Sequence, residues 1–383
     1  MIRRRENNVR YFCFILSFAA FLAFMWSEIE AMQKDNGLPE SGRGLYNISC
    51  AACHGVDGAG GQKNQVGFDL PLPDFTDCDF AAREPDLDWN YVAAEGGPAR
   101  GFSRLMPAFG DMLTDVQIKK ILEHIRTFCQ NKDWPRGELN LPLAQFTTKA
   151  FPEDEMVLFT KVDTHGRNEV INKLVYEQRF GARNNFELIV PFGWSEQDDP
   201  ATGDTSWKSS VGDIGIAVKR VLYHSLENGA ILSLGGEMFF PTGDEDEGLG
   251  SGTAIFEPYL AYGQLLPADF FAQFQVGAAF PFDGDKANEE AFWRGLVGRS
   301  FFLGKYGRSW SPMLEFLGSK ELVSEANTHW DMVPQFQISL SRRQHVRLAI
   351  GARVPLNDKD TRETVYSAYI LWDWFDGGFF EGW

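Results

Sequence analysis

The chain has 383 residues and a formal net charge of −17, too long for one ordinary core and too acidic to gather the phosphate contacts on which nucleic-acid binding depends. Nucleic acid is excluded as a partner class. Its 33 Phe, 11 Trp and 38 Gly argue against a wholly helical protein, because large aromatics with glycine-rich turns suit β structure.

Residues 1–31 read as an export signal peptide: Arg3, Arg4, Arg5 and Arg10 precede an apolar run from Tyr11 to Trp26, and Ala31 offers a cleavage point. An uncleaved membrane anchor is the rival reading, since the run approaches the length of the shortest spanning helices. Cleavage is favoured by the basic residues before the run and the acidic Glu28 and Glu30 after it. Removing the signal takes Cys13 with it and leaves Cys50, Cys53, Cys78 and Cys129, an even set in an oxidising compartment. Cys78 and Cys129 are expected to form a disulfide closing a loop of about 50 residues, with free buried thiols as the alternative.

Residues 32–132 form a small helical, cysteine-bearing region. Ser41 to Cys50 predicts a short helix, and a second starts at Thr114, a good N-cap followed by Asp115. Ile118, Ile121, Leu122, Ile125 and Phe128 give that second helix one apolar face, expected to pack inward, with His124 beside it as a structural histidine. Between them stands Cys50-Ala51-Ala52-Cys53-His54. This spacing allows two thioether bonds to porphyrin vinyl groups while the next side chain reaches the iron. A redox dithiol would not need the histidine, and a zinc site would need two more clustered ligands. One motif predicts one covalent haem c, ligated by His54. A soft donor is expected opposite: Met106, in Leu105-Met106-Pro107-Ala108-Phe109-Gly110, with Met112 as the rival ligand.

These residues resemble class I cytochromes c, particularly the small domains associated with respiratory complexes. Gly44-Leu45-Tyr46, the haem motif with Gly55, the glycine-rich Asp57 to Gly61, and Met106 to Gly110 followed by Leu113-Thr114-Asp115 match that family's order over about residues 38 to 130. The resemblance implies Cys50 and Cys53 as thioether sites, His54 as proximal ligand and Met106 as distal ligand. It also implies a proline carbonyl, from Pro71 or Pro73, near the proximal ring, with an insertion from Asp74 to Leu87 between the matching parts. With both axial positions filled, the expected chemistry is outer-sphere electron transfer to redox partner proteins, without a substrate site of an enzyme.

Residues 133–153 carry Pro135, Pro142 and Pro152 and read as a semi-rigid linker separating two cores. From 154 to 383 apolar residues recur with period two. Phe186, Leu188, Val190, Phe192 and Trp194 share one face, as do Ala272, Phe274, Val276, Ala278 and Phe280, and Val346, Leu348, Ile350, Ala352 and Val354. The opposite faces hold Glu187, Gln273, Gln275, Arg347 and Arg353.

A soluble β-sandwich would alternate in the same way, but long strands with aromatics crowding their ends (Phe192, Trp194, Phe239, Phe240, Phe301, Phe302, Trp372, Trp374) favour an antiparallel transmembrane β-barrel of about 12 strands. Tight turns are expected at Gly181 to Asn185 and Arg342 to His345, and long connections at Asp198 to Ser209 and Gly243 to Gly252. The terminal aromatic Trp383 suits a barrel, although Gly377 and Gly378 interrupt the expected closing strand. His165, His224, His329 and His345 read as loop or wall residues.

The whole plan resembles cytochrome–porin fusions. It implies a porin-like barrel in the lipid bilayer of a bacterial outer membrane, with the haem domain in the periplasm. Two functions follow. One is an electron carrier working at the periplasmic face or toward the cell exterior; the other is a transport channel with a cytochrome that senses redox state or docks a partner.

Overall fold

The computed structural model describes residues 37–164, 168–198, 205–245, 249–304 and 307–374. The export segment, His165, Gly377, Gly378 and Trp383 lie outside the described residues.

The N-terminal region contains α1 (Gly42–Ser49), α2 (Ala51–His54), α3 (Lys63–Val66), α4 (Cys78–Arg83), α5 (Asp86–Glu95) and α6 (Asp115–Ile125). Ser41 caps α1, accepting the Gly44 N–H at 3.1 Å, and Thr114 caps α6 in a reciprocal capping box with Gln117. The expected α6 face is buried: Ile118, Ile121, Leu122 and Ile125 join Leu45 and Tyr46 of α1, while Phe128 packs at the edge of this core. His124 lies beside the core against Tyr46 and Phe128, with ring centroids 5.4 and 5.0 Å away, a structural position as expected.

The stretch that reads as an insertion carries α4 and the start of α5. Asp77 caps α4 by accepting the Asp79 N–H at 2.9 Å. Arg126 ties both helices to α6, donating to Asp86 at 2.7 Å and to the carbonyls of Ala81 and Glu84. Cys78 and Cys129 form the expected disulfide, linking the start of α4 to the chain just beyond α6.

The rest is a closed antiparallel barrel. Its strands are β1 (Glu155–Asp163), β2 (Glu169–Phe180), β3 (Asn184–Asp198), β4 (Thr205–Val211), β5 (Gly215–Ser225), β6 (Ala230–Phe239), β7 (Ile255–Leu265), β8 (Phe270–Pro281), β9 (Glu290–Arg299), β10 (Phe301–Leu303), β11 (Arg308–Glu321), β12 (His329–Ser339), β13 (Val346–Pro355) and β14 (Val365–Asp373). Neighbours in the chain pair with one another except that β3 also pairs with β5 past β4 and β9 with β11 past β10, and β14 pairs with β1, so the ring closes on itself. β4 and β10 are extensions beside β3 and β11, which leaves twelve strands in the wall, as expected. Closure leaves no sheet edge in the wall, the condition for β structure in hydrocarbon.

Side chains sort as period two demands. Phe274 and Ile350 point outward, with 52% and 57% of their surfaces exposed. Glu187, Gln273, Gln275 and Ala349 are buried on the inner face. Exposed aromatics rim both ends, Phe180, Phe270, Phe301 and Phe302 at one and Trp194, Phe240, Phe282 and Trp330 at the other. An apolar belt flanked by aromatic girdles is a lipid-facing surface.

At one end most connections are short, at residues 181–183, 226–229, 266–269 and 340–345, with β10 inside the longer 300–307; at the other most are longer, at 240–254, 282–289, 322–328 and 356–364, with 164–168 the shortest. Gly181 and Gly229 take left-handed φ values of 67° and 63° in two short turns. Two expectations change. Asp198 to Ser209 is not a long loop, because Thr205–Val211 returns along β3 as β4. The closing strand, β14, ends at Asp373 and so finishes before the glycine pair.

The segment 133–153 also differs from expectation, for it is not a spacer. It enters the lumen from the short-turn end and packs as a plug. Leu139 sits with Val221, Ile231, Tyr259 and Phe292; Leu141 and Ala144 with Phe271, Leu296 and Met313; Leu143 with Val157, Ala349, Tyr369 and Leu371. Its backbone groups bond the wall. Tyr369 donates to the Leu143 carbonyl at 2.6 Å, Gln273 to that of Pro142 at 2.8 Å and Arg294 to that of Phe146 at 2.5 Å. The N–H groups of Gln145 and Thr148 donate to Gln335 and Gln275 at 3.0 and 3.1 Å. A barrel lumen lined with amides and carboxylates supplies what a buried irregular backbone needs.

Candidate functional site

Cys50 ends α1, and the next turn is α2, where the N–H groups of Cys53 and His54 both bond the Cys50 carbonyl at 3.1 and 3.0 Å. One helical turn therefore brings Cys50, Cys53 and His54 together. Gly55 turns the chain sharply at φ 76°, and the Tyr46 hydroxyl donates to its carbonyl at 2.7 Å. Both thiols are free, whereas Cys78 and Cys129 are bridged. Burial holds His54 down to about 4, so the imidazole is neutral near pH 7 and its lone pair is available. Burial, and then the neighbouring Cys53, pushes the Cys50 thiol up to about 11.

The His54 Nδ1 is buried and has no hydrogen-bond partner among the described residues. No hydrogen bond from it to the Pro71 or Pro73 carbonyl is therefore present. The chain does pass close by: the Gly60 N–H donates to the His54 carbonyl at 2.9 Å, and a Cβ placed on Gly60 would lie 3.6 Å from the Pro73 carbonyl. The Phe75 ring instead faces the imidazole, 5.2 Å between centroids.

A neutral, partly orphaned imidazole directly after two unpaired thiols fits a covalently held haem. Cys50 and Cys53 would hold the macrocycle and His54 the iron; when bound, the group supplies a one-electron couple.

Met106 lies on a separate loop, half-buried, while Met112 is 65% exposed. The loop is fastened to α5 by the N–H groups of Phe109 and Gly110, which donate to the carbonyls of Ala93 and Ala94, both at 2.9 Å. Phe109 packs on the same apolar cluster as Phe75 and Cys50, so both loops rest on one core.

This unit sits against the short-turn end of the barrel. Arg83 pairs with Asp154, just before β1. His345, in the turn after β12, contacts Glu84 at 3.4 Å and Asp373, the last residue of β14, at 2.6 Å. Arg183 pairs with Asp133 at 2.8 Å. The sequence predicts His345 as a loop or wall residue at the end of a tight turn, which is where it lies; only the fold brings its carboxylate partners from two distant segments. The described histidines His224 and His329 lie in β5 and at the start of β12, away from the haem motif.

Two family matches divide the chain at the same place. Residues 37–125 match "Cytochrome C oxidase, cbb3-type, subunit III", and residues 159–304 match "Putative MetA-pathway of phenol degradation". Among curated proteins, the cbb3-type cytochrome c oxidase subunit FixP of Sinorhizobium medicae (strain WSM419) is 27% identical over 202 residues, 49% of this chain and 61% of the relative. The chain thus spans about three fifths of that relative's length.

Similar solved structures include an outer membrane channel from Pseudomonas putida F1, 14% identical with a TM-score of 0.42, over 61% of this chain and 100% of that one. The KdgM porin bound to oligogalacturonate is 11% identical with a TM-score of 0.38, over 57% of this chain and 99% of that one. The chain thus joins a helical domain similar to cbb3-type subunit III cytochromes c to a closed twelve-stranded β-barrel.

Proposed function

We propose that the protein is a mono-haem electron carrier docked on an outer-membrane barrel. Haem c is bound covalently through Cys50 and Cys53, with His54 as proximal and Met106 as distal ligand. The observation that carries this reading is the α2 turn, where two unpaired thiols precede a half-buried, neutral imidazole whose Nδ1 is out of solvent. Filling both axial positions leaves no open site for substrate, so the role is relay of single electrons to and from redox partner proteins rather than catalysis. The outward apolar belt with its aromatic girdles supports insertion in the outer membrane. Short turns normally face the periplasm in such barrels, and the cytochrome sits at that end, which supports a periplasmic haem.

The alternative, a transport channel with a redox-sensing or docking cytochrome, draws on the polar lumen. The plug weighs against it as an open pore, since three apolar clusters and a set of backbone hydrogen bonds hold residues 139–151 inside the wall. Relay across the membrane would need a second cofactor, because one haem cannot span an apolar band of about 25 Å. Electron exchange is therefore assigned to the periplasmic face.

The test uses haem-loaded, full-length protein in liposomes with the cytochrome facing out, reduced chemically and freed of excess reductant beforehand. Reduction of an added soluble cytochrome, with no passage of small solutes, is the expected outcome. Free passage of solutes without electron exchange would replace the carrier with the channel.

A further inference from the structure

The loop that bears Met106 is tied first to its own domain. The Gly97 N–H donates to the Met106 carbonyl at 3.0 Å, and the Phe102 N–H to the Gly97 carbonyl at 2.9 Å. Met106 is thereby tied to the short 3-10 helix Gly97–Arg100. A Cβ built on Gly97 would lie 3.1 Å from that of Met106, so the two backbones are in close register. Arg100, 2% exposed, holds this helix to α5, donating to Asp88 at 2.6 Å and covering the Tyr91 ring at 4.5 Å.

The α5 residues that receive Arg100 also meet the rim of the barrel. Gln344, in the turn after β12, donates to Asp88 at 3.3 Å and to the Gly307 carbonyl at 3.1 Å, and its side-chain oxygen accepts the Ser309 N–H at 2.8 Å. Tyr91 lies so close to Gly307 that a Cβ there would fall 2.2 Å from the ring. Beside them the Arg343 guanidinium covers the Phe102 ring at 4.4 Å. Two rim turns therefore contact α5 at Asp88 and Tyr91 and the distal loop at Phe102, and the polar contacts at Asp88 are shared between Gln344 and Arg100, which carries them to the loop.

We propose that Arg343 and Gln344 of the barrel are positioning residues for the Met106 ligand: the membrane barrel completes the distal side of the haem pocket. This rests on the reading of Met106 as the distal ligand. The reason is mechanical. A loop with glycines in the left-handed region at Gly96 and Gly101 (φ 83° and 74°) has little stiffness of its own, and contacts with a closed, hydrogen-bonded barrel remove the conformations in which the thioether would point elsewhere. Seating the cytochrome and holding the ligand thus become one event.

The experiment compares haem-loaded, full-length wild type with Arg343→Ala/Gln344→Ala, and uses Arg183→Ala as a control that cuts a rim contact remote from the distal loop. The readouts are the methionine-linked absorption of the ferric protein and the occupancy of the ferrous iron by carbon monoxide, which competes with the thioether. The double variant is expected to lose much of the methionine-linked absorption and to take up carbon monoxide about fivefold more readily, the scale of an ordinary coupling between sites. Arg183→Ala should behave as wild type, and Arg343→Lys, which keeps a cation over Phe102, should recover most of the absorption.

Unchanged absorption and carbon monoxide uptake in the double variant, with the barrel still heat-resistant on gels, would overturn the positioning role while leaving Met106 as ligand. Absence of the methionine-linked absorption in wild type would overturn the ligand assignment itself.

Discussion

The two halves of the molecule bury opposite kinds of side chain. In the cytochrome domain Leu45, Tyr46, Ile118 and Ile121 are hidden and the charges of α6 face water. In the barrel Ser233, Gln273, Ser311 and Glu315 are hidden, each 0–1% exposed, while Phe274, Val276 and Ile350 lie on the outside. The difference follows from the solvent each surface meets. Water expels apolar groups from the surface of the domain, whereas a bilayer accepts them on the barrel and leaves polar groups to the lumen. The plug obeys both rules at once, offering Leu139, Leu141 and Leu143 to apolar patches of the inner wall and its backbone to Gln273, Gln335 and Tyr369.

This contrast can be broken at graded cost. The largest effect belongs to the haem motif. Cys50→Ser/Cys53→Ser should abolish covalent porphyrin, read by mass spectrometry of the peptide from Ser49 to Gly55, yet leave the barrel folded. Replacing residues 139–151 with a short glycine-serine bridge should turn a closed barrel into a steadily conducting one in planar bilayers, with the haem spectrum retained. A replacement that leaves conductance at the wild-type level would refute the plug as the barrier.

Smaller effects sharpen the comparison. Removing the Cys78–Cys129 bridge with a double alanine substitution should cost the cytochrome domain about 3 to 4 kcal/mol in denaturant titrations, with no change in barrel unfolding. Truncating the same residue type in the two settings should then give different answers. Ile118→Ala, in the domain core, should cost about 2 to 4 kcal/mol, and Ile350→Ala, facing lipid, less than about 1 kcal/mol. Ile350→Arg should cost about 2 to 4 kcal/mol in a bilayer. Equal losses for the two alanine variants would mean that Ile350 is not lipid-facing.

Much of this was legible in the sequence. Cys50, Cys53 and His54 are adjacent, so one helical turn suffices to assemble them, and no distant part of the chain is needed. The barrel strands could be read because period two is a local property: Phe186 to Trp194 and Val346 to Val354 carry their inside and outside with them. The disulfide followed from counting cysteines. The plug was missed because three prolines suggest a connector, although Leu139, Leu141 and Leu143 alternate in a way that signals a partner on one side. The pairing of β4 with β3 was missed because Asp198 to Ser209 is polar, and nothing local tells an extended hairpin from a loop.

The residue order alone determined the motif that calls for a haem, the cap and inner face of α6, and the two faces of each strand, since all depend on neighbours a few positions apart. Tertiary structure alone decided that residues 139–151 fill the lumen and that His345 stands between Glu84 and Asp373. It also decided that Arg343 reaches Phe102 in the loop bearing Met106 while Gln344 reaches Asp88 on α5, which receives Arg100 from that loop. These contacts join segments separated by tens to hundreds of positions. They arise only after the ring has closed and fixed where its rim and inner wall lie, and no local period or motif encodes that placement.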